Sequence, residues 1–168
     1  MPRYFATILS LVWAALAGCN CSSDGETLST HAARFLLASE PPSAQGVLDL
    51  RDGLGDKEQA VVVVGRIGGG KPVFDPRQAV FLIADPSTEA AHEHHEGCGE
   101  DCPFCSKEAE EDAIAYVACV DGSGAALPAA ADKLFGLRAG QTVVIRGLAR
   151  RDASGNVVVK ATGIYVRG

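Results

Sequence analysis

Five runs of β-branched and small apolar side chains, each closed by glycine, proline or aspartate, constrain this chain more than anything else in it. Gln59–Ile67 predicts a first strand and Ala79–Ala84 a second. Ala113–Val120, Gln141–Arg150 and Val157–Arg167 predict three more. The punctuation between them is explicit. Gly68, Gly69, Gly70, Lys71 and Pro72 form a loop, and Asp85-Pro86 stops the second run. Asp121 to Gly124 turns the chain, and Asp152–Asn156 joins the last two strands as a hairpin loop. A short helix over Ala129–Leu137, ending near Gly136 or Gly140, separates the third and fourth strands. Upstream, Thr30–Ser39 predicts a helix capped by Ser29 or Thr30 and stopped by Pro41 and Pro42. Val47–Leu50 predicts a short edge strand. Aromatics make up only 6% of the chain, so alanine, valine and isoleucine must fill the core.

Strand, strand, strand, short helix, strand, strand resembles the OB-fold, a small Greek-key barrel. Val63, Val64, Gly65, Arg66 and Ile67 look like its first strand, where a glycine allows sharp curvature. Leu134, Phe135, Gly136, Leu137, Gly140, Gln141, Val143, Ile145 and Gly147 look like the passage from helix to fourth strand. The expected fold class is therefore all-β: a small five-stranded OB-like Greek-key barrel with short helices. The barrel is expected over residues 47–168, preceded by a short helix and connector over 31–46. The chain also resembles small exported bacterial OB-fold proteins with a His/CPFC insertion and no settled activity.

The departure from the bare fold is an insertion over residues 87–112, between the second and third strands. It holds His92, His94, His95, Cys98, Cys102 and Cys105, which is three of the four histidines and half of the six cysteines. Thiolate and imidazole are preferred ligands of borderline and soft metals. Cys102 and Cys105 have a metal-knuckle spacing, able to grip one cation at Zn–S of ~2.3 Å. Cys98 supplies a third thiolate, and His94 or His95, with His92 as substitute, a fourth ligand. Zinc is the expected metal, with copper as the alternative. An acidic, glycine-bearing loop with few apolar residues cannot fold by burial alone, and a metal would order it. The rival chemistry is thiol–disulfide exchange, since Cys102-Pro103-Phe104-Cys105 resembles the motif of thioredoxin-like proteins. Cys102 would then cap a helix starting at Pro103, which would lower its pKa. Those enzymes carry the motif in an α/β fold, and no βαβ pattern exists here. Cys119 falls in a strand and is expected in the core.

The N-terminus has a different meaning. Arg3 precedes an apolar run from Tyr4 to Ala17. The run is shorter than the ~20 residues a membrane span needs, and it reads as an export signal. Leu16-Ala17-Gly18-Cys19 resembles the lipobox of bacterial lipoproteins. That resemblance implies cleavage of residues 1–18, lipid on Cys19, and a flexible tether over residues 19–30. Asn20 after the cysteine favours the outer membrane over the inner. The expected location is the cell envelope, on the periplasmic side. Loss of residues 1–18 leaves 150, enough for one domain with its own core.

Charge excludes further classes. Between Glu89 and Asp112 stand nine acids and one base; elsewhere after residue 18 there are 12 acids and 13 bases. Nucleic acid, which rewards net positive charge, is disfavoured. Arg66, Arg146, Arg150, Arg151 and Lys160 fall on strands, but single-strand binding also needs stacking rings, and only Phe81 and Tyr116 are candidates. Gly65 to Lys71 approaches a phosphate-binding loop, but Pro72 replaces the hydroxyl residue and no helix follows. No Ser-His-Asp set or carboxylate pair stands out for catalysis. The expected function is an envelope lipoprotein whose barrel binds a protein or small ligand beside a metal site. A metal-handling protein is one alternative, and a dithiol oxidoreductase using Cys102 and Cys105 is the other.

Overall fold

The computed structural model describes residues 32–55, 57–88 and 111–168. In order the elements are α1 (Val47–Gly53), β1 (Gln59–Ile67), β2 (Val80–Ala84), β3 (Ile114–Cys119), α2 (Ala131–Phe135), β4 (Thr142–Arg151) and β5 (Val157–Val166). The five strands form a closed barrel in the order β1-β2-β3-β5-β4. All neighbours are antiparallel except β3 and β5. This is the expected all-β, OB-like barrel.

Alternation builds its core. Val61, Val63 and Ile67 of β1 point inward with Phe81 and Ile83 of β2, and all are buried. Val117 and Cys119 of β3, Val143, Ile145 and Ala149 of β4, and Val157, Val159 and Ala161 of β5 continue the interior. At Thr162 the alternation breaks. Arg146 opposes Gly163 and Gly147 opposes Ala161, so Thr162 is an extra residue in β5, and Gly163 and Ile164 are buried in succession. Such a bulge bends the strand, as a small barrel requires. Gly65 serves the other bend, where β1 leaves β4 for β2. A Cβ there would lie 2.9 Å from that of Ile83.

Two expectations upstream of the barrel need correction. Val47–Leu50 is the start of helix α1, not an edge strand. Val47, Leu50 and Leu54 are the buried residues of this stretch, at helical spacing. Of the predicted helix over Thr30–Ser39, the described residues are helical only at Ala32 and Ala33 and turn at Arg34 and Phe35. From there the chain runs beside the barrel: Leu37 N–H donates to Ile164 at 2.8 Å, and Ile164 N–H donates to Phe35. Beyond Ala161, where β5 no longer pairs with β3, the Ile164 backbone takes its hydrogen bonds from this segment. Further on, Gln45 pairs with Val62 and Val64 of β1. Downstream, the helix expected over Ala129–Leu137 is α2, stopped by Gly136 at φ 67°.

Candidate functional site

The proposed metal ligands His92, His94, His95, Cys98, Cys102 and Cys105 lie outside the described residues, as does Cys19. The place where the β2–β3 crossing leaves and rejoins the barrel is described. Ala84 pairs with Ile114, and Asp85 N–H donates to the Ala113 carbonyl at 2.8 Å. Arg51 of α1 pairs with Asp112 at 2.6 Å. The two ends of the crossing therefore sit side by side. Among the described residues no group of three His, Cys, Asp or Glu side chains gathers to hold an ion. Cys119 is a core residue as expected. Burial pushes its thiol up to about 12, which suits packing and not nucleophilic work.

The outer face of β2 and β3 is apolar. An antiparallel sheet normally turns polar side chains to water. Here the outward residues are Val80, Leu82 and Ala84 on β2, and Ile114, Tyr116 and Ala118 on β3. On β4 the outward positions Arg146 and Arg150 are charged and exposed, with Leu148 exposed between them. The β1–β2 loop roofs part of the apolar face. Gly68 N–H donates to Leu82 at 3.1 Å, and Leu82 N–H donates to Val73 at 3.0 Å. Gly69 and Gly70 lie flat on the face, where a Cβ would come 3.0 Å from Ile114 and 2.8 Å from Leu82. This glycine run thus serves close packing, not phosphate binding.

Beyond the roof stands Tyr116, 40% exposed, opposite Leu82 on one side and Val158 on the other. A depression opens on each side of its ring. One, of about 200 Å³, is lined by Lys71, Pro72, Val73, Val80, Leu82 and Tyr116. The other, of about 300 Å³, is lined by Glu111, Ile114, Tyr116 and Asn156. Lys71 makes no ion pair among the described residues. Asp75, on the same rim, spends Oδ1 on the N–H groups of Arg77 and Gln78 at 2.7 and 3.0 Å. The Asn156 amide is tied to Asp152 at 3.1 Å. That bond, followed by the Asn156 N–H, holds the Asp152 carboxyl below its ordinary range. The groove therefore offers a ring, an apolar floor, Lys71 with the Asp75 carboxylate at one end and the Glu111 carboxylate at the other.

Comparison with protein-family models, curated proteins and solved structures gives no match. The site must be judged on its own geometry. The two stacking candidates separate cleanly. Phe81 is 1% exposed and packs on Phe74 with ring centroids 6.2 Å apart, so only Tyr116 offers a ring. Of the candidate cations, Lys160 is paired with Glu58 at 2.8 Å, and Arg151 donates to the carbonyl of Arg51. The sequence reads Lys71, Leu82 and Asp85 as loop, strand and strand-stop residues and not as parts of a site. The wholly apolar run from Val80 to Ala84 was the signal that both faces of β2 are in use.

Proposed function

We propose that this chain is a lipid-anchored binding module of the bacterial cell envelope, holding its ligand on the outer β2–β3 face. The observation that carries this reading is Tyr116, an exposed ring on an apolar floor between two depressions. Small-ligand sites combine apolar walls with a few placed polar groups. The ligand this face suits is a protein segment or small molecule that brings a flat ring to Tyr116 and an acidic group to Lys71. A screen of ring-bearing carboxylic acids, mapped by amide shifts of the labelled domain, tests it. Hits should move Tyr116, Leu82 and Lys71. Tyr116→Ala should weaken them at least about tenfold, since ring stacking contributes roughly 1–3 kcal/mol, with stability changed by less than about 1 kcal/mol. Hits confined to another face would sink the reading.

The second part of the proposal concerns the crossing. Its His and Cys residues hold zinc, ordering an acidic segment that the barrel does not need for closure. The side-by-side ends at Asp85 and Ala113 support this, because a local metal knot fits on a closed scaffold. The unlipidated domain is expected to carry one zinc per chain, with Cys98, Cys102 and Cys105 protected from thiol reagents. Chelation should leave the β-sheet circular dichroism intact. Copper held weakly and exchanged readily would favour metal handling. No metal and a reducible Cys102–Cys105 bond would favour the dithiol oxidoreductase. The anchor is tested separately: Cys19→Ala should release the protein from the membrane fraction.

A further inference from the structure

Asp85 is the only charged residue in the buried set of the described chain, at 5% exposure, and its carboxylate faces two ways. Oδ2 accepts the N–H of Leu48, in the first turn of α1, at 3.0 Å. Oδ1 accepts the N–H of Ser87 at 2.9 Å and its hydroxyl at 2.6 Å. The backbone of Asp85 is also engaged. Its N–H donates to Ala113, and its carbonyl accepts the Thr88 hydroxyl at 2.7 Å. One residue thus meets α1, the exit of the β2–β3 crossing and its return.

Helix α1 depends on that arrangement. Its N-cap residue is Gly46, which has no side chain to offer, so the cap comes from Asp85, 37 residues beyond Leu48. Gly46 itself is the residue that makes room, because a Cβ there would lie 2.5 Å from Oδ2. At seven residues the helix is too short to hold itself. It relies on this cap, on burial of Val47 and Leu50, and on the tie from Arg51 to Asp112, which again reaches the crossing.

We propose that Asp85 is a conformational joint that makes α1 and the base of the β2–β3 crossing one cooperative unit. The two oxygens belong to one rigid group. A rotation that releases Ser87 also swings Oδ2 away from Leu48. Displacement of Ser87 and Thr88 therefore loosens the helix that inserts Val47 and Leu50 into the core. Coupling of this kind is reciprocal, so loosening the helix must loosen the crossing. The inference does not rest on the identity of any ligand.

Hydrogen exchange on the unlipidated domain tests it from both sides. Ser87→Ala removes one bond at an exposed position and leaves the fold intact. It should speed exchange of the Leu48 and Leu50 amides roughly threefold to tenfold. Val47→Ala, which weakens the burial that holds α1, should speed the Asp85 and Ser87 amides by a similar factor. Val117, in the core of β3, serves as the reference for global opening. If Ser87→Ala changes only the crossing, with Leu48 and Leu50 unmoved, the joint does not exist. Equal acceleration at Val117 would also overturn it, because the whole barrel would then be opening.

Discussion

A Gly147→Ala variant is expected to lose at least about 3 kcal/mol of stability, or to fail to fold. The position lies in β4 opposite the bulge of β5. A Cβ built there would come 2.2 Å from the Lys160 carbonyl oxygen and 2.9 Å from its carbon. These are backbone atoms inside the β4–β5 ladder, so no rotamer change relieves the clash. The strands must separate locally, at the point where Gly147 opposes Ala161 and the register shifts. Loss of pairing there spreads, because β4 and β5 are the two longest strands and β4 also pairs with β1 over eight residue pairs. Urea unfolding followed by circular dichroism measures the cost. Gly53→Ala is the matched control. No atom lies within 4 Å of a Cβ there, and the residue ends helix α1. That variant should be neutral or stabilised by about 0.5–1 kcal/mol. Equal effects of the two substitutions would refute the close approach of β4 to β5.

The contrast between these glycines marks where the sequence is readable. Each barrel strand matches its predicted run to within about two residues, because β-branched runs bounded by glycine, proline or aspartate leave little freedom at their ends. The closed five-stranded barrel is the fold that the order of elements resembles. What could not be read was information carried between distant segments. Nothing near Gly46 announces a helix, since its cap is Asp85. Nothing near Phe35 announces a partner, since the open edge that receives it belongs to β5. The face was half legible. β2 contains no polar residue, yet which of Phe81 and Tyr116 meets water depends on register. Leu82 pairs with Tyr116 and Phe81 with Val117, so the two rings lie on opposite sides of the sheet. The histidine–cysteine cluster is a sequence argument, set between two strand ends that the barrel brings together.

Asp85 carries the other large expected effect, and its pH dependence separates its charge from its shape. Burial favours the neutral acid, but the bonds from Ser87, then Leu48 and Val47, outweigh it and hold the carboxyl below its ordinary range. The ionised form is thus the one the fold prefers. A carboxyl depressed on folding adds stability that is fully present above the unfolded pKa, near 3.9, and lost as pH falls through the folded value. Asp85→Ala should cost about 2–3 kcal/mol at neutral pH, because it strips α1 of its cap and leaves the Leu48 and Ser87 donors unpaired. Asp85→Asn should cost less, about 1–2 kcal/mol. Its single oxygen can serve either Leu48 or Ser87, while the amide nitrogen turns a donor toward the other. The decisive measurement is the stability gap between wild type and Asp85→Asn as a function of pH. The gap should be constant from neutral pH down to the carboxylate range and should narrow below it, as wild type loses its charge and the variant has none to lose. A gap that stays level into acid would mean that a neutral acid already does the capping. One that widens on acidification would mean that the fold prefers the protonated form, and the hydrogen-bond arrangement around Asp85 would then have to be wrong.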